Sequence, residues 1–472
     1  MRAHPAGPRH ADQLNDTTPG VPPDDVNQVD PSLWPTGLVR EASGQLSIHG
    51  HGVAELVSTY GTPLMVLDET DFRVRAQQFV DVFGQQVFYA GKAFLTTDIA
   101  RWSADLGMGL DIASGGELAV ALRAGFPADR LLFHGNNKSV AELTTALEAG
   151  VGRIVVDSFE EIERLAAAAV AGGQRPRVLV RVTVGVEAHT HEYIATAHED
   201  QKFGFSLAGG AAAEAVSSVL EHSSLELVGL HSHIGSQIFD TSGFEVAAHR
   251  AVALLAAIRD THGIQLPELN LGGGLGIAYV AGDDPEDVKQ VGAELKAIVE
   301  RECRAYGLDV PTLLVEPGRA IVGPTTVTIY EVGTVKPVEL DAGVVRHYVS
   351  VDGGMSDNVR TALYDAEYTT VLASRASAAQ PVLCRVVGKH CETGDVVVRQ
   401  AWLPGDVVPG DLLAVASTGA YCRAMASTYN YVGRPPVVAV DAGDRPPRVL
   451  LRRETVDDLL ALDMGAPAVV GG

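Results

Sequence analysis

From about residue 62 to residue 324, short β-branched runs take turns with alanine-rich stretches, and that alternation leaves few folds open. Strands separated by helices do not pair as hairpins; they lie parallel, with the helices packed outside them. After a lead-in strand at T-P-L-M-V-L-D, eight runs can be counted. They are V-F-Y-A at 87, G-L-D-I-A at 109, L-L-F-H at 131, R-I-V-V-D at 153, V-L-V-R-V at 178, L-V-G-L-H-S-H at 227, L-N-L-G at 269 and L-L-V-E-P at 313. Small and apolar residues recur at helical spacing between them, over 116–124, 140–149, 159–171 and 244–261. A doubly wound open sheet obeys the same alternation. The polar and glycine-rich residues, however, fall just past the strand ends, where an eight-stranded barrel gathers its active site. The expected fold is α/β, a (β/α)8 TIM-type barrel over residues 68–324.

After about Pro324 the alternation stops. Runs such as T-V-T-I-Y-E-V, H-Y-V-S-V-D-G-G, V-L-C-R-V-V-G, D-V-V-V-R-Q-A-W and V-V-A-V-D are separated by Gly, Pro and Asp turns. They predict a second, mostly β domain of sandwich or barrel type, residues 33–67 plus 325–472, closed by a short helix near 456–462. Two domains suit 472 residues, too many for one core. Residues 1–32, polar and rich in Pro and Asp, read as a disordered tail without the apolar segment of a signal peptide. No run is long enough to span a membrane. The net charge of −23, from 36 basic and 59 acidic residues, repels nucleic acid and anionic lipid. Four cysteines without C-x-x-C spacing point to a reducing, cytoplasmic setting.

Four motifs stand at strand ends. Lys92, in Y-A-G-K-A, follows a strand directly; partial burial lowers an ammonium's pKa and frees the neutral amine that a carbonyl cofactor needs. A lone lysine in such a turn is more often a solvated charge. L-G-G-G-L-G at 271–276 offers backbone without side chains, suited to a phosphate or simply to a tight turn. It is not a dinucleotide fingerprint, because Ile277 stands where the third glycine belongs. H-S-H-I-G-S-Q at 231–237 supplies imidazoles and a hydroxyl, and E-P-G-R at 316–319 an acid and an arginine; a buried satisfied histidine and a salt-bridged strand end are the plainer readings. His189, His191 and His198 lack H-E-x-x-H spacing, and no acid or cysteine completes a metal set, so no metal is expected.

Taken in order, Y-A-G-K-A, D-I-A-S-G-G-E-L, H-G-N-N-K-S, the stretch at 187–204, H-I-G-S-Q, G-G-G-L-G, E-P-G-R, K-H-C-E-T-G-D and G-A-Y resemble the alanine racemase-like pyridoxal phosphate-dependent decarboxylases. Within them the likeness is to the diaminopimelate decarboxylases of the actinobacterial type, and it runs from L-W-P at 33 to beyond Y-N-Y-V at 429. Thr361 stands where that family usually has Pro, and Thr393 where Ser is common.

The resemblance implies pyridoxal 5'-phosphate as cofactor, tethered by Lys92, with Glu316 keeping the ring nitrogen protonated where the racemases of this fold place an arginine. Asp111 would support the lysine, and His233 would stack on the ring. Ser236, Gly273, Gly274, Gly276, Gly318, Arg319 and Tyr421 would complete the cofactor site. Arg319, Arg360 and Tyr364 would clamp the far carboxylate of meso-diaminopimelate, Glu392 would receive its distal ammonium, and Tyr421 would also bind the substrate. Cys391 would return a proton after carbon dioxide leaves, and a homodimer would share its two sites. A sister enzyme acting on arginine, ornithine or carboxynorspermidine would not need the arginine clamp; a silent regulatory homologue would be expected to have lost Lys92 or Cys391.

Overall fold

The computed structural model describes residues 21–186, 202–340, 344–443 and 445–465. The stretch 187–201, with His189, His191 and His198, lies outside them, as does the tail up to residue 20. The described chain forms two compact units. One comprises Phe72–Ile277 and Asp283–Val322; the other takes in the chain up to Asp71, Ala278–Gly282 and the chain from Gly323 onward.

In the first unit the eight expected runs are all strands: β1 (Phe88–Ala90), β2 (Gly109–Ile112), β3 (Leu131–Phe133), β4 (Arg153–Val156), β5 (Arg177–Thr183), β6 (Glu226–His231), β7 (Glu268–Asn270) and β8 (Thr312–Leu314). Each pairs in parallel with the next in chain order. A bridge between Val87 and Val315, with Phe88 N donating to Val315 O at 2.9 Å, brings the last strand to the first and makes the sheet a barrel.

The helices are α1 (Glu69–Phe83), α2 (Thr97–Asp105), α3 (Gly115–Ala124), α4 (Val140–Ala149), α5 (Phe159–Gly172), α6 (Ala211–Glu221), α7 (Ser242–His262) and α8 (Val288–Tyr306). Their ends are written in the sequence. Thr96, Ser114, Ser139 and Ser158 cap α2 to α5 by accepting a backbone N–H of the first turn, and Ser139 with Glu142 makes a full capping box. Left-handed Gly125, Gly150 and Gly173 stop α3 to α5 and turn the chain back toward the sheet.

Inside the barrel Phe88, Leu132, Val155, Leu179, Val228 and Leu314 form one buried apolar layer. Gly109 leaves the space that the Phe88 ring fills: a Cβ there would meet the ring at 2.3 Å. At the strand starts, Arg153 makes a paired contact with Glu268 at 2.7 and 2.8 Å, and Arg177 joins the same carboxylate.

The second unit is built on the long strand Thr326–Glu339, which pairs antiparallel with Leu64–Asp68, Leu412–Val415 and Val345–Val351. The sheet grows through Pro381–Val387 and Val396–Pro404 on one side and Val437–Val440 and Arg448–Leu451 on the other. Its core includes Trp34, Leu46, Ile48, Val66, Val327, Ile329 and Val438. Residues 21–32 differ from the expected disordered tail: Val26 is buried, and the Asn27 side chain exchanges hydrogen bonds with the Ser377 backbone at 2.9 Å in both directions.

Candidate active site

Strand periodicity carries the barrel's chemistry to its C-terminal mouth. Side chains two residues apart on a strand share a face. Two residues beyond the layer residues Leu132, Val155, Leu179 and Leu314 stand His134, Asp157, Arg181 and Glu316, and two beyond Gly109 stands Asp111. The strand that buries an apolar side chain therefore delivers a polar one toward or just past its C-terminal end.

Glu316 is the centre of this layer. Its Oε1 accepts from His134 Nε2 at 2.8 Å and Asn270 Nδ2 at 2.7 Å, while its Oε2 lies 3.4 Å from His231 Nε2. Burial alone would push this carboxyl up, but the His134 and His231 rings and their hydrogen bonds outweigh it and hold Glu316 well below the usual carboxylate range. Burial drives His231 down to about 3, so at neutral pH its ring is uncharged and donates through Nε2. The result is an ionised acid kept dry. The three donor atoms of His134, His231 and Glu316 also lie within 4.8 Å of one another, as a cation would require, but with Asn270 bonding the same carboxylate the group is already a network around an acid.

Lys92 occupies a turn of 3₁₀ helix, Gly91–Ala93, directly after β1, and its Nζ stands 3.8 Å from Asp111 Oδ2. Burial raises the Asp111 carboxyl, with His134 and Lys92 pulling the other way. Across the mouth, the loops after β6 and β7 lie side by side. Ile238 N donates to Gly274 O and Gly276 N to Ile238 O, at 3.0 and 2.9 Å, and the Gln237 amide bonds the Ile277 backbone twice. Their closeness requires glycine. A Cβ on Gly274, whose φ is +107°, would lie 2.3 Å from Gly235 O, and one on Gly273 would lie 2.1 Å from Glu316 O.

His233 Nδ1 accepts from Gly273 N at 3.4 Å. Burial, then the Lys92 and Arg181 cations, holds the His233 ring far below its usual range and hence neutral. Arg319 Nη2 donates to Ser236 Oγ at 2.8 Å, and Gly318 packs against Ala90 and Ala93. Lys92, Asp111, His233, Ser236, Gly273, Gly274, Gly276, Glu316, Gly318 and Arg319 thus all lie in the barrel unit, Asp111 in the last half of β2 and the others on the segments that follow the strands.

Arg360, Tyr364, Cys391, Glu392 and Tyr421 belong to the second unit. Cys391 and Glu392 are exposed. The backbone N–H of Cys391 is taken by Asn430 Oδ1 at 3.2 Å, and the neighbouring His390 ring reaches Ser356 Oγ at 2.8 Å and Asn430 Oδ1 at 3.2 Å. Asp395 accepts from Met355 N and His390 N at 2.6 and 2.7 Å. These bonds join the segment that carries Arg360 to the one that carries Cys391. Arg360 is buried and Tyr364 exposed on the short helix Arg360–Tyr364; Tyr421 is half-buried, with a φ of 65°.

A sequence model described as "Pyridoxal-dependent decarboxylase, pyridoxal binding domain" matches residues 69–323. The chain is 56% identical to the diaminopimelate decarboxylase of Mycobacterium leprae, over 98% of this chain and 100% of that one. The chain belongs to the diaminopimelate decarboxylases. The Bacillus subtilis relative is 44% identical over 89% of this chain and 95% of its own. Among solved structures, the diaminopimelate decarboxylase from M. jannaschii in complex with L-lysine superposes with a TM-score of 0.84 at 30% identity, over 91% of this chain and 98% of that one.

A diaminopimelate decarboxylase uses pyridoxal phosphate, and the barrel mouth suits that group. It presents a lysine at a strand end, a buried ionised acid and two loops without side chains, and in each case a larger or uncharged residue would spoil the fit. Sequence reasoning named neither His134 nor Asn270 as site residues, and left His231 beside His233 without a role. A signal was present: in L-L-F-H, L-V-G-L-H and E-L-N each strand ends on a polar residue at the barrel mouth.

Proposed function

We propose that the chain removes carbon dioxide from meso-2,6-diaminopimelate and leaves L-lysine, the last step of lysine biosynthesis, with the following division of labour. Bound pyridoxal phosphate withdraws electrons from the carbon that loses its carboxylate. Lys92 tethers it, and Asp111 steadies the lysine. Glu316 keeps a proton on the ring nitrogen through its opposite charge, and the three side chains around it keep the acid ionised. The single observation that carries the reading is this buried carboxylate, since a racemase of the same fold has an arginine in its place. His233 packs as a neutral ring on the cofactor face. Ser236, Gly273, Gly274, Gly276, Gly318 and Tyr421 receive the phosphate, Arg319 holding the Ser236 hydroxyl in position.

Arg319, Arg360 and Tyr364 take the far carboxylate, Glu392 the distal ammonium, and Cys391 delivers the proton that replaces carbon dioxide. Tyr364 and its neighbour Leu363 are 61% and 54% exposed, unusual for such side chains beside residues assigned to a closed site. A second copy of the chain that covers them and shares its site accounts for that exposure. A reducing cytoplasm keeps Cys391 a thiol, in keeping with four free cysteines.

Carbon dioxide release from meso-diaminopimelate, L-lysine, L-ornithine and L-arginine, each with and without added cofactor, tests the reading. Cofactor-dependent release from diaminopimelate alone is expected; equal release from lysine or ornithine would sink it.

A further inference from the structure

Arg360 sits differently from the other residues assigned to the substrate. It is 5% exposed, and its guanidinium carbon lies 4.7 Å from the centroid of the Tyr279 ring and 5.6 Å from that of the Tyr368 ring. The rings meet edge to face, 5.2 Å apart at 79°. Nη1 donates to the Tyr368 hydroxyl oxygen, which also lies within hydrogen-bond reach of Cys422 Sγ, at 3.5 Å. Tyr279 is fixed in turn by Thr369 Oγ1, which donates to its carbonyl at 2.9 Å. All these groups are in one unit, and Tyr279, Tyr368 and Cys422 are at most 5% exposed. Burial works against the charge, but the two phenols and Cys422 outweigh it and keep the guanidinium a cation. Among the described residues, Nη2 and Nε of Arg360 have no hydrogen-bond partner.

We propose that Tyr279 and Tyr368 are specificity-determining positioning residues. Tyr279 packs against the Arg360 guanidinium and the Tyr368 hydroxyl occupies its Nη1 corner, so that the edge left for a ligand is the one formed by Nη2 and Nε. A planar edge with two parallel N–H groups matches a carboxylate and neither an ammonium nor a methylene. A lysine in place of Arg360, as a point charge, would gain nothing from such a slot. The inference rests on the assignment of Arg360 to the far carboxylate, and it adds why an acid is required there. The alternative is that the cage merely buries a structural cation.

L-lysine retains the carboxylate in question and cadaverine lacks it, so the two ligands separate these cases. Calorimetric titration of each into the holoenzyme, alongside steady-state kinetics with meso-diaminopimelate, is run on wild type, Tyr368→Phe, Tyr279→Leu and Arg360→Lys. Tyr368→Phe keeps the ring and loses the hydroxyl. It is expected to weaken L-lysine about tenfold while cadaverine changes less than about twofold, and to raise KM about tenfold with kcat little altered. Tyr279→Leu, which removes a ring face, moves in the same direction. Equal weakening of both ligands, or of neither, in both tyrosine variants overturns the cage while leaving Arg360 its role, provided that Arg360→Lys still loses the preference for L-lysine. If Arg360→Lys keeps that preference, the clamp and the cage both fall.

Discussion

Glu316 shows how much one residue depends on its neighbours. Glu316→Gln keeps the shape, and one oxygen that can still accept from His134 and Asn270, but removes the charge that would hold a proton on the cofactor ring. Its kcat/KM for diaminopimelate should fall about 10²–10³-fold, with KM changed little, as for loss of one electrostatic stabiliser in a dry site; a variant within threefold of wild type would remove the acid from its role. Asp357 offers a test of a different kind. Burial raises its carboxyl from 3.8 to about 7, although Tyr330 and Gly354 N–H donate to it. Because the folded state binds this proton more tightly than the unfolded one, its contribution to stability is fully present below about pH 4 and is lost as the pH rises through about 7. Asp357→Asn should therefore lose less stability than wild type between pH 5 and pH 8 in urea titrations. Parallel pH curves would show the carboxyl to be already ionised at pH 5. Glu316 and Lys92 were legible in the sequence because each follows an apolar strand directly; Asp357, in a turn of D-G-G-M-S-D-N, gives no sign of burial until the Tyr330 ring is placed beside it.

At the scale of elements, the barrel's strands and most of its helices follow from short-range rules. Alternation places the strands, serine caps open the helices and glycines end them. Even α1 has its buried residues, Phe72, Ala76, Phe79 and Phe83, spaced three and four apart. What joins neighbouring elements is less local. Lys138, in the loop after β3, pairs with Glu161 of α5 at 2.6 Å and donates to the Gly135 and Val155 carbonyls at 2.7 and 2.8 Å, with both charged side chains out of water. Lys138→Met would leave the Glu161 carboxylate buried without its cation and should cost roughly 3–5 kcal/mol. Lys138→Met with Glu161→Leu should regain most of that loss, since two apolar side chains need no partner. Denaturant midpoints decide the matter, and a single variant as stable as wild type would mean that the pair does no more than a surface ion pair.

For the molecule as a whole, the shared-site proposal has a quantitative consequence. Lys92→Ala and Cys391→Ala chains are each expected to be inactive in this reaction. If their dimers exchange subunits at random, half are mixed and each mixed dimer has one intact site, so about a quarter of wild-type activity should return. Mixed dimers that form, as shown by differently tagged chains, and remain dead would exclude a site made by two copies. The sequence drew the boundary between the two units near Pro324, close to Gly323, but gave no hint that Ala278–Gly282 packs with the β unit rather than with the barrel that flanks it. Nor did composition reveal that Val26 and Asn27 leave the polar N-terminal segment to pack against the sheet, because a few anchoring residues hardly change the average over thirty.

By itself the sequence determined the eight-stranded barrel, the β domain after it, and the places where a lysine, an acid and two glycine loops emerge, because those depend on periods of two and 3.6 residues and on caps that act within one turn. Only the tertiary structure decided which groups meet. His134 and Glu316, 182 residues apart, share a proton-donating contact because the closing sheet sets β3 and β8 around one axis. Arg360 receives its two tyrosines from segments that no local rule connects to it. A side chain's partners in a closed core are chosen by where distant strands end in space, and spacing along the chain carries no record of that.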